Sequence, residues 1–346
     1  MRVPSRFAVA VVAAALAASL VACGDDDVSS GSGAGDVPTV EPATPAASPP
    51  QSGQPQGTVV QTAGGTALAQ AGSQVAVLGT DRLLRLHTAP GAADTPAPRE
   101  VDLPGVTAVI DDGDGFLAAT PDQIARVDRA GAVTRVAGGQ GPVLSLAVTD
   151  DQILVGTSDG HLRVLNRSGQ LQRDIHDFVQ VNQILVAPES SEVAGQVIVV
   201  DRAQSMVAPV DIATGDRKAA LRAGNGAAVA TIDSYGRVLL TNTPDDQLLG
   251  FFGTPIVMRF RYPVAASPWA VAWDQNQKLL WVSTTEDNQA IGYDLSTGEP
   301  RELVRFATVA QVAAMRADPD NGMLYLISQR GDGLQVVPRT LIQAGR

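Results

Sequence analysis

Sulfur and imidazole are scarce in this 346-residue chain, which has one cysteine, Cys23, and three histidines, His87, His161 and His176. A lone cysteine excludes any disulfide within the chain, so even in an oxidising compartment the hydrophobic core must hold the fold without a covalent staple. The histidines show no close ligand spacing of the H-E-x-x-H kind, which leaves no histidine zinc site to propose. A serine without a base and oxyanion donors around it does not point to a nucleophile, and no catalytic residue is assigned. Aromatic residues make up only 4% of the chain. With a formal net charge of -11, a polyanion such as nucleic acid or a bare anionic lipid surface is a poor partner.

Long apolar runs are also missing, with one exception. Arg2 and Arg6 precede an Ala-, Val- and Leu-rich block over 7–22, which is a secretory signal layout, too short and wrongly flanked for a spanning helix. The block ends in Leu20, Val21, Ala22 and Cys23, and Gly24 and three aspartates follow at once. These four residues resemble the lipobox of bacterial lipoproteins. The resemblance implies cleavage before Cys23 and acylation of its thiol, and two or more acyl chains give stable membrane anchoring. Cleavage would remove Arg2 and Arg6 and no acidic residue, taking the formal charge from -11 to -13. The chain would then work on the extracytoplasmic face of a bacterial membrane.

Residues 24–57 are mostly Gly, Ser, Pro, Asp, Thr, Ala and Gln, with no aromatic residue. Such a segment buries too little apolar surface to offset ordering its backbone. A flexible stalk is expected, reaching about 30 Å for roughly 30 residues. The expected organisation is a signal peptide over 1–22, a lipidated cysteine and disordered linker over 23–57, and a folded domain over 58–346.

From Thr58 onward, short apolar stretches alternate with Asp, Asn, Gly and Ser turns. The clearest unit spans 143–175, with turns at Asp150 and Asp151, at Asp159 and Gly160, and from Asn166 to Gly169. It reads as four short strands joined by hairpins. Glycines closing the turn after the third strand fall at Gly91, Gly131, Gly169, Gly215, Gly253 and Gly298. A period of about 40 residues marks a radially repeated four-stranded blade. Units are expected at 64–105, 106–142, 143–180, 181–225, 226–265, 266–308 and 309–341, with six or eight blades as alternatives because the fourth unit is irregular. The last unit runs out after three strands, and the strand at Thr58 to Thr62 has the composition to complete it. The expected fold is therefore all-β, a seven-bladed β-propeller of four-stranded antiparallel blades with the ring closed by an N-terminal strand.

Three stretches of the sixth unit, AVAWD (270–274), KLLWVS (278–283) and AIGYDLSTG (290–298), resemble blades of the YVTN and quinoprotein-like propellers, and VDIATG (210–215) repeats the last turn. The likeness covers about 58–341 and implies architecture rather than chemistry. WVST stands at 281–284 in place of the YVTN motif, and only three tryptophans are present, which argues against a quinone cofactor. The alanine-rich, arginine-over-lysine composition is similar to that of actinobacterial envelope lipoproteins.

Acidic residues ending the first strands, among them Asp111, Asp150, Asp233 and Asp274, admit two readings. They either gather a divalent cation at the axis, as a metal-dependent lactonase or hydrolase would, or bond their own backbone in tight turns. The turn reading is preferred, and no cofactor is assigned. Phe251 and Phe252 sit where a polar turn is expected, and Arg259 and Arg261 follow. These are residue types enriched where proteins bind proteins, although Met258, Phe260 and Tyr262 alternate as one buried face of a strand would, and packing is the preferred reading of this stretch. Trp269 and Trp273 share a strand face and are expected to fill space between blades. Taken together, the sequence reads as a lipid-anchored, protein-binding or scaffold propeller of the cell envelope with an envelope protein partner. The competing readings are the metal-dependent hydrolase and a small-molecule-binding lipoprotein.

Overall fold

Residues 38–51, 53–92 and 95–344 are described in the computed structural model; the signal block, Leu20, Val21, Ala22, Cys23 and the first part of the expected linker lie outside them. Frequent turns divide the described chain into short strands that form seven antiparallel sheets. In six of them the strands follow one another in sequence order, over 65–100, 108–138, 143–175, 183–222, 227–263 and 268–307. The seventh combines three strands over 312–337 with the early strand Thr58–Val60. Numbered 1 to 7 in that order, the sheets are blades of a seven-bladed β-propeller, each falling inside one sequence-defined unit.

Blade 7 is completed as expected. Thr58, Val59 and Val60 pair antiparallel with Val336, Gln335 and Leu334. Val59 packs on the core between blades 6 and 7, and Val60 on the core between blades 7 and 1. The irregular fourth unit keeps its place in the ring, but its outer strand is split into Asp216–Arg217 and Leu221–Arg222, both paired with Met206–Asp211.

The repeat was visible because each hairpin makes the same backbone demand. Gly91, Gly131, Gly169, Gly215, Gly253 and Gly298 all hold φ between 84° and 106°, where a side chain is strained. At Gly169 the backbone also presses on blade 2, since a Cβ there would lie 2.2 Å from the Val136 carbonyl oxygen. The same turn is fastened by the Asn166 side chain, whose Oδ1 accepts the Ser168 and Gln170 backbone N–H groups.

Strand composition follows radial position. The second strands lie between neighbouring blades and are buried throughout or nearly so, as in Gly115–Ala119, Val197–Asp201 and Leu279–Thr284. They read as near-continuous apolar runs for that reason. Outermost strands face solvent on one side, so Val257–Pro263 alternates exposed and half-buried residues. The buried hydrophobic residues fall into seven clusters, each spanning two adjacent blades and together joining every neighbouring pair around the ring. Between blades 7 and 1, for example, Val75 and Val77 meet Tyr325, Ile327 and Leu334. Fully burying one such side chain is worth about 1.5–3 kcal/mol, so every interface contributes several times the worth of a surface ion pair.

Part of the expected flexible stalk is bound to the propeller. From Val40 the chain crosses one end of the ring as an extended strap. The Val40 N–H donates to the Ala203 carbonyl at 2.7 Å, and the Ala46 N–H to Ser267 Oγ at 3.0 Å. Ser48 donates through Oγ to the Thr285 carbonyl at 2.7 Å and through its N–H to Gln311 Oε1 at 2.9 Å. The Gln56 N–H then reaches the Ala307 carbonyl at 2.9 Å. Composition led to the expectation of disorder through residue 57. The strap differs because its order comes from backbone and small polar side chains bonding to blades 4, 6 and 7, not from apolar burial of its own.

His87 lies inside blade 1, fully buried, with Nε2 3.3 Å from Thr62 Oγ1 and Nδ1 without a partner among the described residues. Burial, reinforced by the Arg85 charge, pushes its pKa down to about 4. The unfolded chain therefore takes up a proton near pH 6.5 that the folded chain refuses. Its contribution to stability is complete above about pH 6.5 and is lost as pH falls toward 4. Urea unfolding at pH 7 and pH 4.5 should show the wild-type protein losing about 2–3 kcal/mol more than His87→Gln; equal losses would contradict the assignment.

Candidate binding channel

The first strand of every blade lines the axis, and its local irregularity shapes what the axis presents. In blades 1, 3, 5, 6 and 7 the pairing between first and second strands slips near the start of the first strand: at Gly65/Ala67, Val143/Ser145, Ala227/Ala230, Pro268/Val271 and Val312/Ala314. A bulge leaves a residue outside the ladder and re-aims its side chain. The skipped residues include Thr66, Leu144, Trp269 and Ala313, and all four line a common axial cavity. Leu144 remains 37% exposed, because it projects into this space instead of a packed interface.

The cavity has a volume of about 940 Å³ and is walled by first-strand residues of all seven blades, with Leu144, Trp269 and Trp273 among them. Strap residues Ala43, Thr44 and Pro45 border it at the end where the first strands begin. Arg202 stands at the same end. Its position is set by the turn after the second strand of blade 4, where buried Asp201 accepts the Val179 N–H at 2.8 Å and the Gln180 N–H at 3.1 Å. The Arg202 backbone N–H donates to Asn182 Oδ1 at 2.8 Å.

The Arg202 guanidinium donates through one terminal nitrogen to the Ala43 carbonyl of the strap, and its central carbon lies 5.4 Å from the Trp269 ring centroid. Its Nε is buried and has no acceptor among the described residues. Burial pushes its pKa down, which reflects the desolvation of a cation without a carboxylate partner. At the opposite end the charge is balanced. Arg316 of blade 7 donates to Asp111 of blade 2 at 2.9 Å.

The candidate acidic residues do not converge. Asp111 is held in that ion pair, and Asp150 is exposed in its turn. Asp233 is fully buried; Oδ1 accepts the Tyr235 and Arg237 N–H groups at 2.9 Å each, and Oδ2 takes Arg237 Nε at 2.5 Å. Asp274 Oδ1 likewise accepts the Asn276 and Gln277 N–H groups at 3.0 and 2.9 Å. The carboxylates thus close turns around the rim. Among the described residues no group of three or more His, Cys, Asp or Glu side chains is arranged to hold a metal ion. His161 bonds Asp174 through Nδ1 at 2.7 Å, and its ring centroid is 5.9 Å from that of His176.

The aromatic candidates divide. Phe251 is fully buried in the core between blades 4 and 5 and cannot reach a partner, a correction to its reading as a surface anchor. Phe252, next along the strand, faces the other way, is half-buried and carries Arg259 at 5.7 Å from its ring centroid. Arg259 and Arg261 are exposed. Met258, Phe260 and Tyr262 alternate with them and pack inward. Trp269 and Trp273 touch interblade cores yet also line the axial cavity, so they do more than fill space between blades. Arg202 drew no notice in the sequence, because an arginine after a strand-ending aspartate looks like ordinary turn chemistry.

No protein-family model matches the chain, and no curated protein sequence matches it. Solved structures do. A chain of Kuenenia stuttgartiensis hydrazine synthase superposes with a TM-score of 0.65 at 13% identity, covering 84% of this chain and 100% of that one. A chain of a mitotic checkpoint complex gives 0.65 at 14% identity, covering 82% and 93%. At such identities the likeness concerns the propeller fold alone, and the fold is shared by proteins of unrelated activity.

If the buried turn carboxylates serve the fold, Asp233→Ala should cost about 3 kcal/mol by stranding Arg237 and two backbone donors. Calcium or a chelator should leave the melting temperature of the wild-type protein unchanged. Calorimetry checks both, and a calcium-dependent rise abolished by Asp233→Ala would restore the cation reading.

Proposed function

We propose that this chain is a lipid-anchored extracytoplasmic propeller of a bacterial cell envelope, similar in kind to the YVTN-like propellers, that binds an acidic segment of an envelope protein along the outer edge of blade 5. The anchor is Cys23, at the end of the lipobox-like run Leu20, Val21, Ala22. The observation that carries the docking surface is the edge strand Val257–Pro263, where Val257, Arg259 and Arg261 are all exposed on one face.

Neither arginine forms an ion pair among the described residues, whereas Arg85, Arg126, Arg163, Arg237 and Arg305 all do. An edge strand offers unpaired N–H and C=O groups to an incoming strand. Two arginines on this edge repel a second copy of the same strand and attract an acidic one. Arg259 is held against Phe252, which reduces the side-chain entropy lost on contact. The chain in the mitotic checkpoint complex belongs, by its name, to a protein assembly, and it gives this reading a precedent in fold only.

A photo-crosslinking residue placed at Val257 in living cells tests the proposal. The wild-type background should give one reproducible protein adduct that disappears in the Arg259→Glu, Arg261→Glu double variant. Cys23→Ala should release the chain from the membrane fraction and weaken the adduct. An adduct indifferent to charge reversal, or none at all, would refute the docking surface; retention of Cys23→Ala in the membrane would refute the anchor.

A further inference from the structure

The geometry points to a second binding site in the axial cavity, for a small organic acid with an apolar body, its carboxylate set against Arg202 beneath the strap. This site is separate from the outer edge of blade 5 and does not rest on the protein-docking reading.

Three observations meet at one end of the cavity. The first is volume: about 940 Å³ walled by the first strands of all seven blades, with Leu144, Trp269 and Trp273 among the lining residues, within the size range of small-ligand sites. The second is construction. The bulges direct Leu144 and Trp269 into the space, whereas regular pairing would have kept them in register with the second strands, and bulges recur beside functional sites. The third is charge. Arg202 forms no ion pair with any described carboxylate, uses one terminal nitrogen on the Ala43 carbonyl and leaves its buried Nε unmatched. In a chain of formal net charge -11, a desolvated arginine without a carboxylate is an unusual arrangement, since buried charges are ordinarily paired.

The chemistry of the occupant follows from these groups. A guanidinium without a carboxylate partner fits a carboxylate by a charge-assisted hydrogen bond. Trp269 stacks under the guanidinium and Trp273 lies further along the same strand, giving aromatic surface to an alkyl or aryl body. The opposite end, where Arg316 and Asp111 neutralise each other, offers no second free cation among the described residues for a second carboxylate. A monocarboxylate is therefore favoured over a dicarboxylate. The strap fixes Arg202 through Ala43 and so couples the segment leading from the membrane to the occupied site.

The test uses octanoate as probe, with octanol and hexanedioate as controls, and the full chain purified in detergent. Intrinsic fluorescence of Trp269 and Trp273 and titration calorimetry report binding. Octanoate should bind, with octanol and hexanedioate each at least tenfold weaker. Arg202→Gln, which removes the charge, should weaken octanoate by about ten- to a hundredfold and leave octanol unchanged. Arg202→Lys should retain most octanoate affinity, and Trp269→Ala, which removes the ring beside the guanidinium, should weaken it about tenfold by calorimetry, so the inference stays testable even if Arg202→Gln does not fold. It is overturned if octanoate does not bind the wild-type chain, if octanol binds equally well, or if Trp269→Ala binds octanoate as tightly as wild type.

Discussion

The pairing of Thr58–Val60 with the last blade is the constraint on which the rest of the molecule depends. Six blades complete themselves from consecutive sequence, but the seventh reaches only three strands by Val337 and must borrow its fourth from a segment more than 270 positions earlier. The borrowed strand covers an exposed sheet edge and seals two interblade cores at once, through Val59 on one side and Val60 on the other. An open ring would leave the interface between blades 7 and 1 to hold by hydrophobic contact alone. With the strand in place that interface is bridged by chain connectivity as well.

Closure also determines what the axis can be. The first strands share in the interblade cores, through residues such as Ala69, Val109 and Leu146, yet near their starts they depart from regular pairing without undoing the fold. They depart in five blades, and the residues released line one cavity. The strap that precedes the closing strand crosses the end of that cavity and supplies the acceptor for Arg202. Closure and the shape of the channel are thus consecutive tasks of one short length of chain, from Val40 to Val60.

The ring itself was legible in the sequence because its repeat unit imposes local rules. Each hairpin needs a residue with positive φ and a small polar side chain to bond the turn, so glycines and aspartates recur at the blade period whatever lies between them. The strap was not legible. Ser48 is ordered by Gln311 and Thr285, more than 230 positions away, and nothing in its own composition records those partners. Phe251 and Phe252 show a related limit: adjacent residues of a strand face opposite ways, and the sequence of the pair does not say which one enters the core. For Arg202 the missing signal is the lack of an ion pair among the described residues, which only the folded arrangement defines. The rim carboxylates were read correctly as turn residues where their spacing matched tight turns, as at Asp233 and Asp274, because that role is written in the two or three residues that follow each of them.

The measurement that bears most directly on ring closure is amide hydrogen exchange at residues 58–60, 334–337 and 324–328 of the same purified chain. Closure by the early strand predicts that 58–60 and 334–337 exchange together, at rates approaching those of the buried strand Leu324–Ser328. Free exchange at 58–60 while 334–337 stays protected would contradict it.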